Sequence, residues 1–264
     1  MNLSIIFWFY KEPEICLNRL ELIKKSNPGI RIFGLFGGGK KDEAIFKKIL
    51  GKHLDDFYAS SYCEANKDWK WINGDLMILD WYEKRGLKLN WDSVAVIQWD
   101  MLVFDALSKI FPKIKNGQIY LSGLRVLDDF IENRWSWTKK GGQERANYLA
   151  FKKHIKKEFN YADDKILCSL FIFQIFPRIF FKKWLKIKNR EIGMLEYKTP
   201  TYAKIFKTPF YQKDLGIRWF GDNPERKDTP MNARAIEIGE GFIKSELNKS
   251  DGYRLFHPYF KLWQ

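Results

Sequence analysis

Ser93-Val94-Ala95-Val96-Ile97-Gln98-Trp99-Asp100 is the stretch of this chain that decides its fold. A short apolar run leads directly into an acid, a pattern typical of a buried strand that ends at a functional edge. In an α/β protein the carboxyl end of such a strand opens into the ligand crevice, so Asp100 is placed for chemistry or metal binding. The alternative is that Asp100 caps a helix that begins at Met101-Leu102-Val103-Phe104.

Strand and helix patterns alternate upstream of this stretch. Strands are predicted at residues 3–10, 30–36 and 56–59, and helices at residues 12–26, 42–50 and 68–85. This alternation predicts an α/β fold with a mainly parallel, Rossmann-like central sheet flanked by helices. Ligands of such a sheet bind at the carboxyl ends of its strands.

The alternation of strand and helix patterns becomes less regular after Asp100. We predict a strand at 119–122, an aromatic loop at 134–138, a basic helix at 143–158 and a buried strand at 166–176. A turn-rich stretch follows at Gly221-Asp222-Asn223-Pro224. The sequence contains no internal repeat and no low-complexity linker, so its 264 residues are predicted to form a single domain.

Composition narrows the class of partner. The formal net charge is +14 and the pI is about 9.5, so the protein's field attracts phosphates, nucleic acid or an anionic membrane face. A nucleoside diphosphate meets the same requirement. Many lysines, such as Lys24-Lys25, Lys47-Lys48 and Lys152-Lys153, fall in amphipathic runs and are expected on solvated helix faces.

Cysteine usage and hydropathy indicate a cytoplasmic protein. Cys16, Cys63 and Cys168 are far apart and form no CxxC pair, as expected in a reducing compartment. The apolar N-terminus lacks the basic region and cleavage site of a signal peptide. Residues 166–181 are too short and too interrupted to span a bilayer. Together with the basic residues 182–188, they form either a core strand and a solvated helix or a peripheral contact with an anionic membrane.

The glycine-rich stretch Gly37-Gly38-Gly39-Lys40-Lys41 follows a predicted strand. Glycines expose backbone N–H groups and the lysines add positive charge, as in loops that hold phosphates. The spacing matches neither GxxxxGK[ST] nor GxGxxG. A flexible turn between a strand and a helix is therefore the better interpretation, and it still leaves Gly37 able to contact a nucleotide.

The three histidines differ in their surroundings. His53 and His154 lie beside lysines in helical patterns and are predicted to be at the surface. His257 stands between an apolar pair and a proline near the end of the chain, where an ordered tail could fold back over a crevice. Its imidazole is either a hydrogen-bonded structural group or a metal ligand. Glu196, beside Lys198, would ordinarily be read as an ion-paired surface residue.

The order of these motifs changes that interpretation. A strand-end Gln98-Trp99-Asp100 is followed by the aromatic loop, by Leu195-Glu196-Tyr197-Lys198-Thr199-Pro200-Thr201, and by Phe256-His257-Pro258. This order resembles the GT-A-fold nucleotide-sugar glycosyltransferases, particularly the divergent bacterial and large-virus types. Their DxD-like motif closes a strand of the nucleotide-binding half and holds a divalent cation. Here Gln98 replaces the first acid, and Asp100 matches the more constant one.

The resemblance implies a metal-assisted hexosyl- or pentosyltransferase acting on a glycan or lipid-linked acceptor. Residues 1–105 would form the nucleotide-sugar-binding half, and residues 106–264 would form the acceptor half with its tail. Mn²⁺ or Mg²⁺ would be bound by Asp100 and His257. Glu196 would deprotonate the acceptor in an inverting reaction, or orient the acceptor or the sugar in a retaining one. The expected donor contacts are Phe9, Tyr10, Gly37, Asp75, Gln98, Trp99 and Asp100. Trp135 and Trp137 are the expected acceptor contacts, with buried packing as the alternative for each, as for Trp99.

Two other functions fit the composition. In a nucleic-acid-binding protein or nuclease, lysines track phosphates and exposed aromatic rings stack on bases. However, the basic residues are spread along the chain without an RRM, KH or zinc-module pattern, so we expect no nucleic-acid partner. A Rossmann-type dinucleotide enzyme is disfavoured because its glycine fingerprint is missing.

Overall fold

The computed structural model describes residues 1–161, 165–220 and 229–264. The turn-rich stretch Gly221-Asp222-Asn223-Pro224 lies outside these residues. The strands are β1 Leu3–Phe9, β2 Ile32–Phe36, β3 Asp56–Ala59, β4 Ser93–Gln98, β5 Leu102–Val103, β6 Tyr120–Leu121, β7 Arg125–Val126, β8 Leu167–Cys168, β9 Gln174–Pro177 and β10 Leu255–Phe256. The helices are α1 Pro13–Ser26, α2 Lys40–Leu50, α3 Lys67–Trp81, α4 Leu107–Ile110, α5 Asp129–Arg134, α6 Arg145–Phe159, α7 Arg178–Trp184, α8 Leu195–Ile205 and α9 Glu240–Leu247.

The central sheet of the described residues has six strands in the order β3-β2-β1-β4-β9-β6. β1 pairs in parallel with both β2 and β4, and β2 pairs in parallel with β3. β9 runs antiparallel to β4 and to β6. The predicted α/β architecture with a mainly parallel sheet and flanking helices is therefore confirmed.

The inner strands are apolar because both of their faces are covered. All five residues of β2 are buried, as are the first five of β4. A parallel sheet covered by helices on both sides needs such continuous apolar runs rather than alternation. Most of the buried apolar side chains form one cluster that includes residues from both halves of the chain, and a smaller cluster surrounds Leu102 and Phe256.

Residues after Asp100 form a strand rather than the helix of the alternative interpretation. Leu102 pairs with Phe256 and Val103 pairs with Leu255, so β5 and β10 make an antiparallel ribbon. The alternative interpretation was wrong because the strand that pairs with this apolar stretch lies more than 150 residues further along the chain, where local pattern cannot find it. Asp100 is consequently not the cap of a helix.

The C-terminal tail is held against α1. Arg19 Nη2 donates to two backbone carbonyl oxygens of the tail, that of Tyr259 at 2.9 Å and that of Lys261 at 2.6 Å. Asn18 Nδ2 donates to the carbonyl of Trp263 at 3.1 Å. Arg19 is fully buried, and that burial lowers its pKa to about 10. The tail therefore has a fixed course along the first helix.

Two other predictions need correction. The buried strand expected at 166–176 is interrupted, because β8 and β9 are separated by residues 169–173. His154 is buried on α6 rather than exposed, and burial lowers its pKa. Its neighbour Lys153 is exposed, while the His154 ring faces the Phe159 ring with centroids 6.1 Å apart. Within the described ranges, no helix combines the length and apolar character needed to cross a membrane.

A fully buried ion pair connects α3 to α8. Lys198 Nζ lies 3.0 Å from Asp75 Oδ2, and neither side chain has exposed surface. Lys198 Nζ also donates to the carbonyl of Arg190 at 2.9 Å. Burial raises the pKa of Asp75 and lowers that of Lys198, while each charge acts on the other in the opposite direction.

We expect Lys198→Met to destabilise the protein by about 3–5 kcal/mol, because it leaves the Asp75 carboxylate buried without its partner. Urea unfolding followed by circular dichroism measures this change. The double variant Asp75→Leu/Lys198→Met removes both charges and should recover most of the loss. An equal loss in the double variant would show that packing, rather than the stranded charge, causes the effect. Lys244→Met, in an exposed pair with Glu240, is the matched control and should change stability little.

Candidate functional site at the carboxyl edge of the sheet

The strand ends bring several predicted site residues to one edge. Phe9 is level with Phe36, and Trp8 is level with Gln98, so Tyr10, Gly37 and Trp99 follow at the same edge. Because β9 is antiparallel and Gln174 lies opposite Val96, residues 169–173 reach this edge as well. The site is therefore lined both by strand ends and by the segment that enters β9.

Asp100 and His257 face each other at this edge. Asp100 Oδ1 lies 3.4 Å from His257 Nε2, and both residues are 8% exposed. The ribbon of β5 and β10 places them, since Tyr259 N donates to the Asp100 carbonyl at 2.8 Å. Among the described residues, Asp100 Oδ1 has no hydrogen-bond donor.

The tautomer of His257 follows from its other contact. Nδ1 lies 2.9 Å from the carbonyl oxygen of Asn232. A carbonyl oxygen only accepts hydrogen bonds, so Nδ1 must carry the proton. In the neutral ring, Nε2 then directs a lone pair toward the Asp100 carboxylate. Two lone-pair atoms in this arrangement repel each other unless a proton or a metal ion lies between them.

This pair of atoms fits a divalent cation. A carboxylate oxygen and an imidazole nitrogen form a mixed ligand set suited to Mn²⁺, and the unpartnered Asp100 oxygen is the kind of group that a cation would satisfy. The described residues contain no group of three or more His, Cys, Asp or Glu side chains that could enclose a metal. A cation at this position would therefore keep coordination positions for a bound ligand or water.

Aromatic and basic side chains surround Asp100. Tyr10 is 44% exposed and packs edge-on against Trp99, with ring centroids 5.9 Å apart. Lys11 Nζ lies 4.7 Å from the Trp99 ring, and Phe260 stacks on the same ring at 5.9 Å. Trp99 is only 2% exposed, so it supports Tyr10 and Lys11 rather than offering a free face. Tyr10 and Lys11 are the exposed groups of this cluster.

Glu196 lies in the first turn of α8 and is half-buried. Its Oε1 accepts a hydrogen bond from the Phe171 N–H at 2.7 Å, and the Trp137 side chain also hydrogen-bonds the carboxyl. Burial raises the pKa of Glu196 to about 7, although these two hydrogen bonds oppose the rise. Glu196 is thus not the ion-paired surface residue that its neighbour suggested, since Lys198 pairs with Asp75. A carboxyl with a pKa near neutrality can exchange protons with a substrate.

Phe171 links Glu196 to the end of β4. Gln98 Nε2 donates to the Phe171 carbonyl at 2.8 Å, while the Phe171 N–H binds Glu196. The Phe171 ring packs edge-on against Trp8 at 6.3 Å. The amide of Gln98 is therefore used in orienting this segment. No sequence pattern indicates Phe171, because its contacts depend on the conformation of the loop between β8 and β9.

Three of the predicted donor contacts are buried. Phe9 is fully buried, with its ring against Phe36 and Phe46. Asp75 is enclosed with Lys198. Gly37 is buried, and a Cβ there would lie 2.8 Å from Met77 Cε and 2.9 Å from Trp8 Nε1. The side chains of Phe9 and Asp75 are therefore not available to a donor, contrary to the prediction. Gly37 is a glycine because a Cβ at this position would collide with Met77 and Trp8.

The glycine-rich stretch is a tight turn rather than a phosphate loop. The Gly37 carbonyl accepts from Lys70 Nζ at 2.9 Å. At the start of α2, the Lys40 N–H donates to Glu64 Oε1 at 2.7 Å. A side-chain carboxylate thus occupies the helix end where a bound phosphate would be expected.

The two tryptophans of the aromatic loop have different positions. Trp135 is 6% exposed and packs edge-on against Trp219 at 5.2 Å and Tyr197 at 6.4 Å. It therefore offers no face to an acceptor, contrary to the prediction. Trp137 is half-buried and hydrogen-bonds Glu196. Only Trp137 of this pair belongs to the site.

No family model and no curated protein matches this chain. Among solved structures, it is similar to the apo bifunctional glycosyltransferase WbbM, with 8% identity and a TM-score of 0.46 over 99% of this chain and 46% of that one. It is also similar to the galactosyltransferase LgtC in complex with donor and acceptor sugar analogues, with 12% identity, a TM-score of 0.42, and 79% and 73% of the two chains covered. A cytidylyltransferase from Leptospira borgpetersenii has 12% identity and a TM-score of 0.42, with 81% and 77% covered. The chain spans about half the length of the WbbM structure, and similarities this low assign no activity.

Glu196→Gln should make the protein less sensitive to pH. The folded pKa of Glu196 is raised to about 7 from an ordinary value of 4.5, so wild-type stability falls as the pH rises through this window. We expect the stability of Glu196→Gln relative to wild type to increase by up to about 3 kcal/mol between pH 5 and pH 8. Urea unfolding at the two pH values measures the difference. The glutamine amide oxygen keeps an acceptor for the Phe171 N–H.

The control is Glu21→Gln, which changes an exposed carboxyl of α1. Its pH dependence should parallel that of the wild type. A Glu196→Gln curve that also runs parallel to wild type would mean that Glu196 titrates at its ordinary value.

Proposed function

We propose that this protein is a glycosyltransferase that moves a sugar from a nucleoside-diphosphate sugar to a glycan or lipid-linked acceptor, assisted by Mn²⁺ or Mg²⁺. The observation that carries the proposal is the Asp100–His257 pair, whose Oδ1 and Nε2 atoms lie 3.4 Å apart at the carboxyl edge of the sheet. An acid with a raised pKa, Glu196, is connected to the same edge through Phe171 and Gln98. A metal ligand pair and a proton-transfer group are the two parts that a metal-assisted inverting transfer uses.

Asp100 and His257 would hold the cation. When bound, Mn²⁺ or Mg²⁺ supplies electrostatic stabilisation of the diphosphate leaving group, whose negative charge grows as the sugar–phosphate bond breaks. Asn232 fixes the ring of His257 so that Nε2 stays available. Such a backbone contact orients a metal-ligating imidazole and sets its tautomer.

Glu196 would act on the acceptor. In an inverting transfer, its ionised carboxylate would take the proton from the acceptor hydroxyl as that oxygen attacks the sugar. In a retaining transfer, it would orient the acceptor or the sugar instead. The Phe171 N–H and Trp137 hold the carboxyl in place in both cases. Trp137 is also the remaining candidate for contact with an acceptor ring.

Tyr10 is the proposed contact for the donor base or sugar, because it is exposed beside Asp100 and Trp99. The positive net charge would favour an anionic donor. It would equally favour a peripheral, cytoplasmic position at an anionic membrane that carries the acceptor. No feature of the described residues favours the nucleic-acid-binding alternative.

A thermal-shift screen tests the donor and the metal together. UDP-, GDP-, CMP- and dTDP-sugars are each added with and without Mn²⁺. A ligand at a hundred times its dissociation constant adds about 2.7 kcal/mol and raises the melting temperature of a protein of this size by about 5 °C. We expect a shift with one nucleotide family that requires Mn²⁺. Asp100→Ala and His257→Ala should fold but lose that shift.

His53→Gln, on the turn after α2, is the matched histidine control and should keep the shift. If both site variants respond to Mn²⁺ as the wild type does, the metal assignment is wrong. Stabilisation by oligonucleotides, without any response to sugar nucleotides, would favour the nucleic-acid alternative instead.

The pH dependence of transfer tests the role of Glu196. A general base must be ionised, so kcat should rise with pH and reach half its maximum at about 7, the pKa to which burial raises this carboxyl. Glu196→Gln should lower kcat by about 10²–10⁴-fold, the usual contribution of a positioned base. Initial rates at saturating donor and Mn²⁺ between pH 5.5 and pH 8.5 provide the measurement. Full activity in Glu196→Gln would exclude this role, and Glu21→Gln should leave the profile unchanged.

A further inference from the structure

Helix α8 contains a proline, Pro200, in its second turn. In an α-helix, the N–H four residues ahead donates to each backbone carbonyl. Pro200 stands four residues after Glu196 and has no N–H. The Glu196 carbonyl therefore has no donor within its own helix at this position. Instead, the Ser169 N–H donates to it at 2.8 Å.

The same segment also binds the Glu196 side chain. The Phe171 N–H, two residues after Ser169, donates to Glu196 Oε1 at 2.7 Å. Glu196 is thus attached to residues 169–171 at both its backbone carbonyl and its carboxylate. Since the Phe171 carbonyl accepts from Gln98 Nε2, this attachment sets the position of Glu196 relative to the end of β4.

The opposite side of the same helical turn is attached to α3. Successive residues in a helix are rotated by about 100°, so Lys198 points about 200° away from Glu196. Its ammonium contacts Asp75 Oδ2 at 3.0 Å and the carbonyl of Arg190 at 2.9 Å. The turn that contains Glu196 is therefore held on two opposite sides, by backbone N–H groups on one and by the buried ion pair on the other.

We propose that Pro200 is a positioning residue for Glu196, which acts by leaving the Glu196 carbonyl free for the Ser169 N–H. The inference rests on the proposed function, because it concerns the acid assigned to proton transfer. It gives a physical reason for the Glu-x-x-x-Pro spacing. The competing explanation is that Pro200 is merely a tolerated kink in the helix.

Pro200→Ala separates these explanations. The alanine restores an N–H that competes with Ser169 for the Glu196 carbonyl, and alanine is a far better helix former than proline. If the proline is only a kink, the variant should be at least as stable as the wild type and fully active. If Pro200 positions Glu196, we expect the Ser169 amide to exchange hydrogen about tenfold faster or more, because its acceptor is lost. kcat should fall by about tenfold or more, with the donor KM changed by less than about twofold.

Two further variants sharpen the test. Pro200→Gly restores the same N–H with a low helix propensity, so an effect shared with Pro200→Ala follows the N–H and not the stability of the helix. Pro13→Ala changes the first residue of α1, where an N–H has no helical acceptor. It should leave both amide exchange at Ser169 and kcat at wild-type values.

Every outcome bears on the proposal. Unchanged exchange at Ser169, or faster exchange with unchanged kcat, would overturn it. A lower kcat with normal exchange at Ser169 would also overturn it, because Pro200 would then affect activity without acting through the Glu196 carbonyl. If the wild type transfers no sugar, the proposed function fails. The exchange measurement then still decides whether Pro200 governs the attachment of Glu196.

Discussion

The parallel pairing of β1 with β2 on one side and with β4 on the other is the constraint on which the rest of the structure depends. Parallel strands end at a common edge, so Tyr10 and Asp100 become neighbours although they are far apart in sequence. The antiparallel strand β9 differs from the parallel strands in that the segment before it, rather than the segment after it, lies at this edge. Its preceding segment arrives at the same edge with the Phe171 N–H directed to Glu196 rather than to the sheet.

Local pattern was sufficient for the parallel strands of the central sheet. The apolar runs of β1, β2 and β4 are continuous because both faces of these strands are buried, and their lengths exclude helices. It was insufficient for β5, where Leu102 and Val103 extend only because residues 255–256 pair with them. A two-residue apolar stretch has no period of its own, so its conformation is decided by a partner that local reasoning cannot identify.

The candidate site was predictable to a similar extent. The order of motifs pointed to Asp100, His257 and Glu196, and the structure places the first two face to face. The order of motifs did not reveal that Lys198 pairs with Asp75. Both residues lie on helices, and their neighbours in the sequence do not indicate that the two helices share a buried interface. Trp135 was misjudged for the same reason. An aromatic ring in a polar stretch looks exposed until a second ring, here Trp219, covers it. Sequence therefore identified residues by chemical type, while their accessibility depended on tertiary contacts.

The attachment of the tail to α1 has a consequence for how the protein is made. Arg19 and the carbonyl of Tyr259 that it binds are separated by 240 residues. During synthesis the strands that carry Asp100 are complete long before His257 leaves the ribosome. A contact between residues so far apart in sequence requires closure of a long loop, and such contacts form late in folding. His257 faces Asp100 just before this attached segment, so the Asp100–His257 pair is completed late, after the parallel strands have formed.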